Sequence, residues 1–143
     1  MKTAVASDHG GYALKEVVKK YLEEKGIEVL DLGTDSEESV DYPEFGQACG
    51  EAVASGKVDR GIVCCGTGIG ISMAANKVKG VRCALCTDVS MAEMTRRHND
   101  ANMIAMGGRT TTDENALAMV ETWLTTEFEG GRHQRRVDKL NNM

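Results

Sequence analysis

The 143-residue sequence has no apolar run near the roughly 20 residues that a membrane-spanning helix requires. Its amino terminus reaches Asp8 before an apolar segment of signal-peptide length can form, so we expect a soluble, cytoplasmic protein. Proline occurs only once, and no low-complexity segment or convincing repeat interrupts the chain. The length is typical of one domain and predicts a single domain over residues 1–143.

The sequence disfavours disulfides, a metal site and nucleic acid binding. The five cysteines are odd in number and lie in apolar stretches. Cys83 and Cys86 form a C-x-x-C pattern, but residues three apart on a strand face opposite sides, which favours core packing. The net charge of −5 disfavours nucleic acid and anionic membranes as partners. No pair of histidine, cysteine or carboxylate side chains has convincing ligand spacing, so we predict no metal and no cofactor.

Short apolar segments alternate with amphipathic helical patterns along the whole chain. The predicted strands cover residues 3–6, 28–32, 61–65, 81–86 and 102–106. Such alternation is typical of a parallel sheet joined by right-handed helical crossovers. The sequence therefore predicts an α/β protein with a three-layer Rossmann-like fold, in which a five-stranded parallel sheet has helices on both faces.

Candidate chemistry follows the predicted strands, because open parallel sheets bind ligands beyond the carboxyl ends of their strands. The segments that leave the strands are Asp8 to Gly11, Cys65 to Gly70, Thr87-Asp88 and Gly107 to Arg109. Two of these are glycine-rich, and three carry ionisable or nucleophilic side chains. This concentration of reactive groups indicates a functional site at one edge of the sheet.

The loop Cys65-Gly66-Thr67-Gly68-Ile69-Gly70 is the most informative of these segments. It matches neither the Walker phosphate loop nor the dinucleotide-binding glycine pattern. The backbone amides at a helix start favour the thiolate form of a cysteine that ends the preceding strand. Burial is the commoner fate of cysteines, but the glycine-rich turn favours a functional role for Cys65. Cys64 must face the other way.

Two further groups suggest proton transfer and anion binding. His9 and His98 lie in polar turns, where an imidazole is well suited to moving protons. Arg132 and Arg136 are four residues apart, so on a helix they share a face and could grip a phosphate. A solvated charged tail is the alternative interpretation. Residues 130–143 have little apolar content, and we expect this segment to pack on a neighbouring subunit.

Taken in order, these residues resemble type B ribose-5-phosphate isomerase, in a family that includes galactose-6-phosphate and allose-6-phosphate isomerases. The similarity runs from end to end. It is carried by the segments Ser7-Asp8-His9-Gly10-Gly11, Asp41-Tyr42-Pro43, Cys65 to Ser72, Ala74-Ala75-Asn76-Lys77, Arg97 to Asn102 and Gly130-Gly131-Arg132-His133.

The resemblance implies an enzyme that interconverts D-ribose 5-phosphate and D-ribulose 5-phosphate, in the non-oxidative branch of the pentose phosphate pathway. In this family Cys65 would move a proton between C1 and C2 through an enediolate, with the oxyanion held by Thr67 and the amides of Gly66, Thr67, Gly68, Ile69 and Gly70. His98 would open the furanose ring, assisted by Asp8, and Asn99 would contact the sugar. The phosphate set would be His9, Arg109, Arg132 and Arg136. The resemblance also implies a homodimer or tetramer with each site shared between two subunits.

Three alternatives remain open at this stage. The substrate could be a six-carbon sugar phosphate, such as allose 6-phosphate or galactose 6-phosphate, or a free aldose such as allose. A non-catalytic nucleotide-binding module would explain the glycine loop but leaves Cys65, Asp8 and His98 unused. A thiol redox protein could use Cys64 with Cys65, or the C-x-x-C pattern, although opposed strand faces disfavour both.

Overall fold

A computed structural model describes all 143 residues and contains one five-stranded sheet in which every strand pair is parallel. The strands are β1 (Lys2–Ser7), β2 (Glu28–Asp31), β3 (Arg60–Cys65), β4 (Cys83–Leu85) and β5 (Met103–Gly107). Their order across the sheet is β2-β1-β3-β5-β4. The edge strand β4 has three residues where the sequence predicts six, and it pairs only with β5.

Six helices connect or follow the strands. They are α1 (Tyr12–Glu24), α2 (Tyr42–Ala54), α3 (Ile69–Asn76), α4 (Val89–Asn99), α5 (Asp113–Thr125) and α6 (Arg132–Asn141). The single proline, Pro43, lies in the first turn of α2, where the missing N–H leaves no helical hydrogen bond unmade. None of the helices is both long enough and apolar enough to cross a bilayer.

The helices cover both faces of the sheet, which confirms the predicted three-layer α/β architecture. Side chains of α1, α4 and α5 pack with Cys64 on one face, where Trp123 is fully buried. Side chains of α2 and α3 pack with Cys65 on the other face. Cys83 and Cys86 are divided between the same two faces, so neither cysteine pair is arranged for thiol redox chemistry.

The central strands position the loop that carries Cys65. From β1 the chain moves outward to β2 and then crosses back to β3 on the other side of β1, so the order reverses between β1 and β3. Ligands of open α/β sheets bind at such a switch point, beyond the carboxyl ends of the strands. Asp8 follows β1 and Cys65 ends β3, so both lie at this switch point.

Candidate active site

The loops that leave β1, β3 and β5 interlock at the carboxyl edge of the sheet. The N–H of Gly108 donates to the carbonyl of Cys65 (2.8 Å), and the N–H of Arg109 donates to the carbonyl of Gly66 (2.9 Å). The N–H of Asp8 donates to the carbonyl of Cys64 (3.3 Å). These backbone bonds fix the three loops relative to one another, so the side chains that they carry are preorganised.

The sulfur of Cys65 is held by the start of α3. The N–H of Gly68 donates to Sγ of Cys65 at 3.1 Å, and the residue is only 4% exposed. Cys49 and Cys86 instead donate their S–H groups to carbonyls, and burial raises the pKa of each to about 12. Cys65 therefore differs from these two thiols, because its sulfur accepts a backbone N–H at the start of a helix.

The loop after Cys65 presents backbone N–H groups that the protein itself does not use. Gly68 donates to the sulfur, and Ile69 donates to the hydroxyl of Thr67 at 3.2 Å. The N–H groups of Gly66, Thr67 and Gly70 have no acceptor within the protein. Of the five amides that the resemblance implies for the oxyanion, these three are free for a ligand, and those of Gly68 and Ile69 already have partners.

Asp8, His9 and Arg109 surround this loop. The carboxylate of Asp8 is buried and accepts the N–H of Gly11 at 3.0 Å. Nδ1 of His9 lies 3.2 Å from both the amide nitrogen and the carbonyl oxygen of Val40, which fixes the ring. The Arg109 guanidinium lies over Gly66, since a Cβ built on that glycine would come within 3.0 Å of its Nη1. A ligand at the loop would thus meet the guanidinium of Arg109.

Replacing Gly11 by alanine is expected to destabilise the protein, which tests this packing. A Cβ at Gly11 would lie 2.3 Å from the carbonyl carbon and oxygen of Cys64, and neither backbone atom can rotate away. We expect Gly11→Ala to lower the free energy of unfolding by about 3 kcal/mol or more. Gly56→Ala is the control, because its added methyl meets nothing within 4 Å and its positive φ costs about 1 kcal/mol. Urea unfolding that gives equal losses for both variants would contradict the packing.

The other predicted residues lie at the opposite edge of the sheet. His98 and Asn99 end α4, which runs back from the carboxyl end of β4 towards the start of β5. Nε of Arg82, one residue before β4, donates to the carbonyl of Asn99 at 3.2 Å. Cys65 is instead in register with Gly107, the last residue of β5. The length of β5 alone puts about 13 Å between these two edges.

Helix α6 brings Arg132 and Arg136 to the same amino edge. Both arginines are exposed on the helix, while His133 and Val137 on its other side are buried against the chain. The His133 ring stacks on the His98 ring with a centroid distance of 4.3 Å. This helix is thus anchored on its own subunit by two side chains, and its arginines face outward.

The predicted site residues therefore fall into two groups, which we call the carboxyl half-site and the amino half-site after the edge of the sheet at which each lies. The carboxyl half-site contains Asp8, His9, the loop from Cys65 to Gly70, and Arg109. The amino half-site contains His98, Asn99, Arg132 and Arg136. The rule about strand ends finds the first half-site but not the second, because His98 and Asn99 precede a strand. Sequence reasoning also missed Glu129, which lies beside the two stacked histidines, because it precedes α6 and no helical spacing links it to His133.

Two cavities lie away from the Cys65 loop. A cavity of about 450 Å³ lies at the β4 edge and is lined by Asn76, Arg82, Asn99 and Leu140, among others. A second, of about 650 Å³, lies between α1 and the loop after β2 and is lined by Tyr12, Asp31 and Phe45, among others. The carboxyl half-site therefore lies outside both of these cavities.

The protein is thus an α/β protein with a cysteine at the switch point of its sheet. The basic residues predicted to bind phosphate are divided between the two half-sites. The sequence profile described as Ribose/Galactose Isomerase matches residues 3–140, so the chain belongs to that isomerase family. It is 51% identical to the putative sugar phosphate isomerase YwlF of Bacillus subtilis, with 99% of this chain and 96% of the relative covered. It is 46% identical to ribose-5-phosphate isomerase B of Escherichia coli, with 97% and 93% covered.

Solved structures show the same architecture. Ribose-5-phosphate isomerase B of Clostridium thermocellum superposes with a TM-score of 0.98 at 56% identity, covering 99% of this chain and 96% of the other. The Mycoplasma genitalium enzyme, solved with ribulose 5-phosphate bound, gives a TM-score of 0.95 at 40% identity, with 99% and 94% covered. The family resemblance and the Rossmann-like fold predicted from the sequence are both confirmed, and the chain is a sugar-phosphate isomerase.

Proposed function

We propose that this protein interconverts D-ribose 5-phosphate and D-ribulose 5-phosphate, with Cys65 as the base that moves the proton. The observation that carries the proposal is the sulfur of Cys65, which accepts the N–H of Gly68 at the start of α3. Relatives named ribose-5-phosphate isomerase B and the ribulose 5-phosphate in one solved relative support this choice of substrate.

The reaction needs one base and a place for negative charge. The Cys65 thiolate takes the proton from C2 of the open-chain aldose, and the carbonyl at C1 becomes an enediolate oxygen. The N–H groups of Gly66, Thr67 and Gly70, which have no acceptor in the protein, would stabilise that oxygen. The thiol then returns the proton to C1, and the hydroxyl proton on O2 is transferred to O1, which leaves a ketone at C2 and a hydroxyl at C1. No electrons leave the substrate, so no redox partner is needed.

Ring opening requires a second group close to the first. In the furanose form, the ring oxygen is bonded to C1, so an acid or base that acts there must sit within about 2.6–3.2 Å of that oxygen. Cys65 must at the same time contact C2, the neighbouring carbon. His98 of the same chain is at the other edge of the sheet and cannot meet this requirement.

A second copy of the chain removes this difficulty. In a two-fold symmetric dimer, the carboxyl half-site of one subunit can face the amino half-site of its partner, and the symmetry then makes two complete sites. Exposed apolar side chains support such an interface. Ile69 and Met73 on α3 are 47% and 61% exposed, and Met91 and Met94 on α4 are 40% and 46% exposed. Helix α3 begins at the Cys65 loop and the last turn of α4 carries His98, so burying these side chains would join the half-sites.

The shared site also accounts for the charged residues. His9 and Arg109 would bind the phosphate from one subunit, and Arg132 and Arg136 from its partner, where their exposed face is free to contribute. Guanidinium groups are well suited to phosphate because their planar donors match its oxygens. Phosphate held far from C1 and C2 supplies orientation rather than chemistry. Residues 130–143 would in this way contact the neighbouring subunit through the arginines.

A substrate panel tests the proposal. We expect the purified, chelator-treated protein to convert ribose 5-phosphate with a higher kcat/KM than allose 6-phosphate, galactose 6-phosphate or free allose. The free sugar should be the poorest, because it lacks the group that the arginines bind. A higher kcat/KM for either six-carbon phosphate would assign the enzyme to that substrate instead. Nucleotide binding without isomerisation would contradict the proposal altogether.

A further inference from the structure

Three metal-binding side chains converge at the amino edge of the sheet. His98 lies in the last turn of α4, Glu129 precedes α6, and His133 lies in the first turn of α6. Nε2 of His133 is 3.5 Å from Oε1 of Glu129, and Nε2 of His98 is 3.9 Å from Oε2 of the same carboxylate. The three donor atoms all lie within 4.8 Å of one another.

One of these donors lacks the partner that a buried polar atom normally has. His133 is 7% exposed, and its Nε2 is buried with no hydrogen-bond partner. Buried side-chain nitrogens are nearly always paired, so an unpaired one calls for an explanation. A ligand that bridges Nε2 of His133 to the neighbouring carboxylate would provide its missing partner.

The donor set indicates which ligand fits. Two imidazole nitrogens and one carboxylate are a common zinc donor set, which leaves a fourth position open. With bonds of about 2.0–2.2 Å, tetrahedral geometry separates the donors by roughly 3.3–3.5 Å. The His133–Glu129 pair already has this spacing. The side chains of His98 and Glu129 are 39% and 45% exposed, so both have room to rotate and shorten the remaining distances.

We propose that His98, Glu129 and His133 form a zinc site, and that zinc bound there inhibits the isomerase. A metal on Nε2 of His98 occupies the lone pair that the imidazole would need for ring opening. The inhibition rests on the proposed function, whereas the binding does not. The site would thus make the enzyme sensitive to free zinc without giving the metal a part in the reaction.

Binding is tested on the full-length protein by competition between zinc and a chromophoric chelator. We expect one zinc ion per chain. Both Glu129→Gln and His133→Gln should lower the zinc affinity by about 100-fold, because losing even a group that only orients a metal ligand costs about 10–100-fold. Glu129 is exposed, so its variant keeps the test valid even where His133→Gln folds poorly. The matched control is Glu127→Gln, two residues away and outside the cluster, which should bind zinc as the wild type does.

Cysteine thiols are the main alternative ligands for zinc, and two measurements distinguish them from this site. Cys65→Ala should bind zinc unchanged, and the cobalt-substituted protein should show visible d–d bands without a thiolate charge-transfer band. Wild-type affinity in Glu129→Gln, or loss of binding in Cys65→Ala alone, would overturn the site. Absence of zinc binding in an active isomerase would do the same while leaving the proposed function intact.

Inhibition of the isomerase by zinc is the second measurement. Zinc should inhibit the wild type reversibly, with activity restored by a chelator, and Glu129→Gln should need about 100-fold more zinc for the same inhibition. Zinc that binds at this site without slowing ribose 5-phosphate turnover would overturn the inhibition, and with it the ring-opening role of His98.

Discussion

Replacing Cys65 by alanine is expected to lower kcat for ribose 5-phosphate by about 10²–10⁴-fold, the usual contribution of a positioned base. No other thiol can take its place. Burial raises the pKa of Cys49, Cys64, Cys83 and Cys86, so those four stay protonated near neutral pH. Steady-state kinetics with saturating substrate measures the loss, and KM should change little because the phosphate-binding groups are intact.

Two companion variants separate chemistry from packing. Cys65→Ser keeps the shape of the side chain but offers a far weaker acid, so it should lose nearly as much activity as alanine. Cys64→Ala removes the adjacent thiol, which packs into the opposite face of the sheet, and should keep turnover at some cost in stability. Substantial turnover in Cys65→Ala, or equal losses in the Cys64 and Cys65 variants, would contradict the role of Cys65.

Mixing two inactive variants is expected to restore activity if each site is shared between subunits. A mixed dimer of Cys65→Ala and His98→Asn chains has one site that carries both changes and one site that carries neither. Random reassortment makes roughly half of the dimers mixed, so the mixture should recover about a quarter of wild-type activity. The comparison is made after co-refolding or co-expression, against each parent at the same total concentration.

A control mixture shows that recovery depends on complementary halves. Cys65→Ala mixed with Cys65→Ser puts a defect in every carboxyl half-site, so this pair should stay as inactive as its parents. Recovery in the control would point to an artefact of mixing. No recovery in the test mixture, despite demonstrated subunit exchange, would show that Cys65 and His98 do not act across an interface.

The layered architecture was predictable from the sequence because its cause is local. Alternating apolar strands and amphipathic helices require a sheet with helices on both faces, and the structure has that arrangement. Cys64 and Cys65 must lie on opposite faces for the same reason, since adjacent residues of a strand alternate. The extent of β4 was less predictable. Its apolar sequence reads as six residues, but an edge strand has a pairing partner on one side only.

The fold class, the glycine-rich loop and the candidate thiol could be predicted from the sequence, because each depends on neighbours in the chain. Which of these groups meet depends on the tertiary structure. It placed Cys65 and His98 at opposite edges of one sheet, and it brought Glu129, from the segment before α6, and His133, from α6, to His98. The direction in which a crossover helix runs sets the edge at which its last residues lie, and that direction follows from sheet topology rather than from residue spacing.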